Sequence, residues 1–168
     1  MNSKSEQYTS VELPLGRHLA VVARFYYGAL TNKLNHLDID RYYSVLLLVS
    51  KSTEGETQQM IGDQLHIDKA SMVRVIDNLE EKNYIKREVK PGDRRCHLIR
   101  LTEKGKEIIP IIESSIIELN AQMMKNLSAL QQDDFLKTLC AISKNLQELP
   151  ADEVVVEYQR KKPNLKTQ

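Results

Sequence analysis

Apolar residues recur every three or four positions through the first third of the chain, which is the spacing of amphipathic helices. The first series starts after Pro14, a residue that suits a first helical turn, and extends from Leu15 to Leu34. A second series leads to about Lys51, and Asp38 is its predicted N-cap. The pattern therefore predicts two helices before the first break in the chain.

That break is a polar segment, 52–56, which contains a glycine. After it, Thr57 is predicted to cap a short helix and Asp68 to cap a longer one. The longer helix has four apolar residues on one face: Met72, Val75, Ile76 and Leu79. Two helices joined by a turn of three or four residues have the form of a helix-turn-helix.

The pattern then changes from the period of a helix to that of a strand. Segments 84–89 and 96–101 are predicted strands, and the Pro-Gly pair between them marks a turn. Beyond this hairpin, Thr102 is predicted to cap a long helix, and a last helix is expected to end at Pro150. A helix pair followed directly by a hairpin has the order of a winged helix-turn-helix.

These elements predict a mainly α fold (α+β by strict count), a winged helix-turn-helix with flanking long helices. We expect a single domain over 1–168, in which 38–102 form the winged lobe and 151–168 a basic polar tail. The apolar stripes of the flanking helices, in 11–37 and 103–150, are too long for one small lobe to cover. These helices are therefore predicted to form a helical dimerisation region, and the chain a homodimer.

Composition narrows the class of protein. With 41% hydrophobic and 28% charged residues the chain resembles a soluble globular protein, and it has neither a membrane-spanning stretch nor an apolar signal core. We therefore expect a cytoplasmic protein with no membrane partner. Its two cysteines, Cys96 and Cys140, have no metal-ligand spacing and are interpreted as buried, inert thiols. No cofactor or metal is predicted, and no nucleophile–base pair or glycine-rich phosphate loop indicates an enzyme.

The net charge of +1 hides an uneven distribution. Segment 82–106 contains nine Lys or Arg residues and three acidic ones, a local charge of +6. Such a charge attracts a phosphate backbone, although a solvated hairpin surface has the same composition. Charge alone leaves both interpretations open.

The polar face of the longer helix of the pair has residue types that read DNA. At about 100° per residue, Ala70, Val73, Arg74 and Asp77 lie opposite the apolar face, with Lys69 and Ser71 near the first turn. Small residues let a helix sit deep in the major groove, and an arginine fork can bind guanine O6 and N7. The Ser71 hydroxyl and the helix N-terminus are predicted to bind a phosphate. The alternative is an ordinary solvated helix face.

The tip of the hairpin has a second candidate DNA contact. Arg95 can extend into a narrow minor groove, where the negative potential is high. Asp93, two residues earlier, can accept a hydrogen bond that fixes the direction of that guanidinium, and Arg94 is assigned to a phosphate. The alternative is a salt bridge within the turn.

The run from residue 57 to residue 105 resembles the bacterial MarR/SlyA regulators. Residues 61–65, IGDQL, stand where that family has Leu-Ala-x-x-Leu, and 68–74, DKASMVR, where it has a run like Asp-Lys-Ser-Thr-Val-Thr-Arg. Residues 93–95 match the wing signature Asp-x-Arg, and 101–105 match Leu-Thr-x-x-Gly. The resemblance implies a dimeric transcriptional regulator, usually a repressor, that binds a pseudo-palindromic operator in double-stranded DNA and is often released by a small ligand.

Four positions depart from the family pattern. Asn83 and His66 replace glycines, and Gly62 replaces a small alanine. Asn tolerates the left-handed conformation that ends a helix, so the geometry there is expected to survive. Val73 replaces a polar residue, which is expected to shift base preference toward thymine methyl groups.

The resemblance also implies a ligand crevice between the dimerisation helices and the winged lobe. Four residues of the first two helices are candidates to line it for a small aromatic effector: His18, Arg24, Tyr26 and Tyr42. Aromatic residues at helical spacing are also typical of a core. The competing function for the whole chain is a winged-helix protein–protein interaction module that does not bind DNA.

Overall fold

The computed structural model describes residues 15–150, which form six α-helices and a small antiparallel sheet. The helices are α1 (Leu15–Lys33), α2 (Tyr43–Lys51), α3 (Gln58–Leu65), α4 (Lys69–Glu81), α5 (Glu103–Met123) and α6 (Ala129–Gln147). The strands are β1 (Glu56–Thr57), β2 (Ile85–Lys90) and β3 (Asp93–Leu101), in the order β1-β3-β2. The predictions for Pro14, for the start of the dimerisation region at 11–14 and for the tail at 151–168 lie outside the described residues.

Side-chain caps fix the starts of the helices in and after the winged lobe. Thr57, Asp68 and Thr102 each accept a hydrogen bond from the backbone N–H three residues later, at 3.2, 2.9 and 3.1 Å. These three predicted caps are confirmed. Ser128 adds a fourth through a capping box with Gln131, which pairs two otherwise unbonded N–H groups at the start of α6.

The predicted start of the second helix is wrong. Asp38 has φ 50° and ends a single 3-10 turn, and α2 begins only at Tyr43. The reason is tertiary, because the flanking Leu37 and Ile39 are both buried. Their burial holds the chain in a bend, and Asp40 is also left-handed there, at φ 48°.

A third strand, β1, was absent from the sequence prediction. Glu56 pairs with Ile99 and Thr57 with Leu98, which adds two residues to the free edge of β3. A strand of two residues has no alternating pattern to detect, because its pairing depends on a neighbour more than 40 residues away in sequence. It joins the start of α3 to the base of the hairpin.

The core lies where the helix pair, the base of the hairpin and α5 meet. Among its most buried side chains are eight from α2, α3, α4, both long strands and α5: Leu46, Ile61, Met72, Ile76, Leu79, Ile85, Ile99 and Ile112. Leu30 of α1, with Leu34 and Ile39 after it, is equally buried. The predicted apolar face of α4 is confirmed as part of this core. By contrast, none of the residues of α6 is buried within the described chain.

Close packing also fixes the junction between the lobe and α5. A Cβ atom on Gly105 would lie 2.0 Å from the carbonyl oxygen of Tyr84, so only glycine fits there. Thr102 donates its hydroxyl to the carbonyl oxygen of Asn83 at 2.6 Å. Asn83 has φ 60°, as expected for the residue that ends α4. Nothing in residues 15–150 forms a helix long and apolar enough to cross a membrane.

Candidate nucleic-acid interface

The outward face of α4 is free of packing contacts with the core. Four residues of this face are exposed: Lys69, Ala70, Val73 and Arg74. The relative solvent exposure of Val73 is 37%. The face combines two small or branched apolar side chains with two cations, as the sequence predicted. Such a helix can approach another surface closely without first displacing a bulky side chain.

Ser71 departs from its predicted place on this face. It is only 3% exposed, and its hydroxyl accepts a hydrogen bond of 2.9 Å from Nη2 of Arg74. Ser71 lies one step around the helix toward the apolar side, so it cannot present its hydroxyl to a phosphate. It instead holds the guanidinium of Arg74 against the helix.

Asp68 extends this arrangement to the N-cap. Its carboxylate accepts the backbone N–H of Ser71 at 2.9 Å. Hydrogen bonds from the Ser71 side chain and backbone lower the pKa of Asp68, and the positive charge of Arg74 lowers it further. The carboxylate is therefore charged at neutral pH and helps to keep Arg74 at this end of α4.

The hairpin tip is tighter than the sequence predicted. The turn consists of Pro91 and Gly92 alone, and the positive φ of Gly92, 83°, fits the third position of a type II turn. Val89 pairs with His97, whereas the next residue of β2, Lys90, already pairs with Asp93. The three residues 94–96 of β3 therefore have no partners on β2 and form an irregular segment just past the turn.

Asp93 orders this irregular segment through the main chain. Its Oδ1 accepts the backbone N–H of Arg95 at 3.0 Å. The expected hydrogen bond to Asp93 is thus present, but its donor is the backbone and not the guanidinium. Arg94 and Arg95 are both exposed beside it.

Many cations of the basic segment are occupied by partners within the protein. Lys86 pairs with Glu88 at 2.6 Å, Lys106 with Glu103 at 2.7 Å, and Arg100 with Glu88 at 2.8 Å. Within residues 15–150, the cations that have no ion pair include the three at the hairpin tip: Lys90, Arg94 and Arg95. The free positive charge is thus concentrated at the tip of the hairpin.

Arg87 makes a different connection, from the hairpin to α4. Its Nη2 lies 2.5 Å from Oδ1 of Asp77, its Nη1 bonds Oε2 of Glu80, and its backbone N–H donates to Oε1 of Glu80 at 3.1 Å. Burial would lower the pKa of Arg87, but the bonds to the two carboxylates outweigh it and raise that pKa. Asp77 is therefore engaged and does not stand free on the outward face of α4.

Comparison with known proteins places this geometry in a family. The MarR family profile matches residues 43–97, from α2 into β3. The transcriptional regulator SlyA has 25% sequence identity and a TM-score of 0.72, over 80% of this chain and 95% of its own. The apo form of MarR from E. coli has 28% identity and a TM-score of 0.61, over 82% of this chain and 98% of its own. The chain is thus similar to MarR-family regulators, whose profile matches its winged segment and whose fold it shares.

A third solved relative was determined with bound molecules. CouR from Rhodococcus jostii RHA1, in complex with p-coumaroyl-CoA, has 25% identity and a TM-score of 0.68, over 80% of this chain and 95% of its own. The transcriptional repressor CouR bound to a 23-mer DNA duplex has 23% identity and a TM-score of 0.72, over 81% and 96%. The predicted winged-helix MarR fold is confirmed by these matches.

The four residues predicted to line a ligand crevice do not converge within one chain. Tyr42 is 5% exposed and belongs to the core. Arg24 and Tyr26 are two residues apart on α1, so they point about 200° apart around the helix. Arg24 lies over the ring of Phe25, 5.6 Å from its centre, and His18 is exposed on the same helix. A shared ligand site for these four residues therefore stays a prediction.

Tyr26 instead lines an apolar groove between the flanking helices. Its hydroxyl donates to Oδ1 of Asn120 at 2.9 Å, which joins α1 to α5. The groove has a volume of about 740 Å³ and is lined mostly by apolar side chains of α1, α5 and α6, among them Leu19, Val22, Met123, Phe135, Leu136 and Leu139. Several of these lining residues are more than 40% exposed, such as Val22 at 56% and Leu136 at 52%.

The cysteines also differ from their interpretation. Cys96 is half-buried in the irregular segment of β3, and Cys140 is exposed on α6. The interpretation of Cys140 as a buried thiol is therefore wrong within one chain, where it lies beside the apolar stripe of α6. Within this chain the stripe itself is uncovered, so the thiol beside it is exposed too.

Proposed function

We propose that the chain is a sequence-specific DNA-binding transcriptional repressor, which binds a pseudo-palindromic operator as a homodimer. One observation supports this most directly. The exposed face of α4 presents Arg74, directed by Ser71, beside a hairpin tip with three cations that have no ion pair in the described chain. A solvated surface would not need a guanidinium held in one direction.

In this proposal α4 is the recognition helix in the major groove. Arg74 binds guanine O6 and N7, while Ala70 and Val73 contact base edges or thymine methyl groups. Lys69, in the first turn, contacts a phosphate together with the backbone N–H groups of that turn. Ser71 has the role of orienting Arg74, which replaces its predicted contact with DNA.

The hairpin is the wing. Arg95 enters the adjacent minor groove, and Arg94 contacts a phosphate. Asp93 acts by holding the backbone of Arg95, and so it orders the tip from which both arginines extend. Neutralisation of phosphates by these side chains makes binding depend on salt.

The second copy of the chain covers the flanking helices. We propose the division predicted from the sequence, with a winged lobe over 38–102 and a dimerisation region over 11–37 and 103–150. The apolar groove between α1, α5 and α6 supports this division, because monomeric proteins rarely expose apolar patches of such extent. A two-fold axis through the flanking helices would present two recognition helices to two half-sites.

We also propose that a small aromatic effector releases the protein from its operator. A ligand weakens DNA binding only if it prefers a dimer in which the recognition helices are wrongly spaced. The CouR complex with p-coumaroyl-CoA supports an aromatic acid or its thioester as the class. Salicylate or p-coumarate at millimolar concentration should then weaken operator binding. If neither compound changes operator binding or thermal stability, the proposal of an aromatic effector is wrong.

Selection of bound sequences from random DNA, at two salt concentrations, tests the main proposal. We expect a two-fold symmetric motif and an affinity that falls steeply with salt. Failure to enrich any sequence, with the folded protein bound instead to another protein, would favour the interaction module. Enrichment of a motif with a single half-site would contradict binding as a dimer but not DNA binding itself.

A further inference from the structure

Arg87 joins the two parts of the lobe that approach DNA in the proposed function. It lies in β2, three residues from the end of that strand, and its side chain crosses to α4. There it engages two carboxylates three residues apart on one helix, Asp77 and Glu80, through its two terminal guanidinium nitrogens. Its backbone N–H adds a third bond, to Glu80, so the strand itself is held as well as the side chain.

This geometry is suited to fixing a position. A planar guanidinium that bonds two carboxylates has little rotational freedom, unlike an ammonium on a flexible stem. The Arg87 side chain is only 26% exposed, so water and salt screen the ion pairs less than they would on an open surface. The bonds therefore restrain the hairpin against α4.

The other long strand of the hairpin is held from the opposite side. Arg100 in β3 donates to the carbonyl oxygens of Thr53, at 3.0 Å, and of Glu54, in the loop before β1. The two arginines brace the base of the hairpin from its two sides. Of the two, Arg87 is the one that reaches the helix carrying Arg74.

We propose that Arg87 is a positioning residue, which sets the wing and the recognition helix at one separation so that both engage a duplex in a single register. This rests on the proposed function. The distance along DNA between the base read by Arg74 and the minor groove entered by Arg95 then depends on the Arg87 contacts. Arg87 itself does not touch DNA.

Two variants remove the contacts while changing the charge in opposite directions. Arg87→Met makes the cluster of Arg87, Asp77 and Glu80 more negative by one charge, and Asp77→Asn with Glu80→Gln makes it more positive by two. A role in positioning predicts that both lower the ratio of operator affinity to random-duplex affinity, by roughly tenfold. Lys86→Met is the matched control, because it removes a cation from the neighbouring residue of β2 whose partner, Glu88, lies within the same strand.

A second measurement separates positioning from stability. In selected sequences, the wild-type protein should prefer A·T pairs at a fixed distance from the base read by Arg74. In Arg87→Met and in Asp77→Asn with Glu80→Gln, this flanking preference should spread over neighbouring positions, while the central base preference remains. Arg87→Lys keeps the charge but cannot bond both carboxylates with one planar group, so it should show the same broadening to a smaller degree. It serves as the folded variant if Arg87→Met proves unstable.

The outcomes are distinguishable. If the two charge-changing variants shift affinity in opposite directions and leave the specificity ratio and flank position unchanged, Arg87 is only a charge and the inference is wrong. If Lys86→Met broadens the flank preference equally, the effect belongs to the hairpin as a whole and not to Arg87. If the wild-type protein enriches no sequence, the proposed function fails first, and that result is visible without any variant.

Discussion

The hydrogen bond between Ser71 and Arg74 makes the arginine testable apart from its charge. Arg74→Ala should weaken the best operator by about 1–3 kcal/mol and random DNA much less, since a bidentate contact to guanine supplies discrimination. Ser71→Ala keeps the cation but removes the acceptor that directs it, and so it should lose part of the same discrimination. Binding isotherms on operator and random duplexes measure both. Equal losses on the two duplexes would show that Arg74 acts only as a positive charge.

At the hairpin tip, substitutions of neighbouring residues should weaken DNA binding in different ways. Arg95→Ala should weaken sites with A·T flanks most, because an arginine in the minor groove responds to groove width and potential. Asp93→Ala should reproduce part of that loss, since it frees the backbone N–H of Arg95. Arg94→Ala should lower affinity on every sequence and reduce the log–log salt slope by about 1. Identical profiles for the three variants would mean that the tip is an unspecific charged surface.

Val73 is an apolar residue at a position where it gains nothing from the core. If it contacts a thymine methyl group, replacing that thymine by deoxyuridine should cost about 0.8 kcal/mol, roughly fourfold in affinity, because one buried methyl group is lost. Val73→Ala should bind both duplexes with nearly equal affinity. Deoxyuridine placed outside the half-site is the control. Sensitivity to deoxyuridine that persists in Val73→Ala would assign the methyl contact to another residue.

At the scale of the elements, predictability from sequence follows the range of the interaction. Caps such as Thr57 and Thr102 act within three residues, so their sequence signals were sufficient. Asp38 has the same signal, yet the burial of Leu37 and Ile39 overrides it. The strand β1 depends on a partner far along the chain and has no local pattern at all. Local chemistry therefore predicted the helices well and the loops between them poorly.

The junction of the lobe with α5 gives an element-scale prediction. Gly105→Ala should destabilise the protein by about 1–3 kcal/mol, since the added Cβ meets the backbone oxygen of Tyr84, which cannot move without displacing β2. Gly28→Ala is the matched control, because a Cβ there meets nothing within 4 Å and alanine favours a helix by about 1 kcal/mol over glycine. Urea denaturation at one protein concentration compares them. A Gly105→Ala midpoint equal to the wild type would contradict the close packing.

At the scale of the molecule, the structure leaves fewer cations available for the candidate interface than the sequence suggests. The sequence indicated which segment is basic, but it could not show which cations have partners. Arg87 and Arg100 count toward the +6 of the segment, yet the structure engages both with acidic or carbonyl groups on other elements. Ser71 likewise has a residue type suited to a phosphate contact but a position that is buried. Such pairings depend on tertiary contacts, and a list of charges along the chain does not contain them.

The flanking helices give the last prediction. Leu139 lines the apolar groove and is 38% exposed, so Leu139→Asp places a charge on the surface that the second copy is proposed to cover. Burying an unpaired carboxylate is strongly unfavourable, so the variant should dissociate or aggregate. Ala141→Asp adds the same charge about 200° further around α6 and should stay dimeric. Ile116→Asp is less informative, because Ile116 also packs against the core of its own chain.

Sedimentation over a range of micromolar concentrations measures the outcome. The wild type and Ala141→Asp should sediment as dimers, and Leu139→Asp as a monomer or as aggregates with lower helix content, because α6 buries no side chain within one described chain. Loss of the dimer should also abolish operator binding, because each separate protomer can then bind only one half-site. A wild-type protein that is a stable, folded monomer throughout this range would contradict the dimer hypothesis. The apolar groove would then need another explanation.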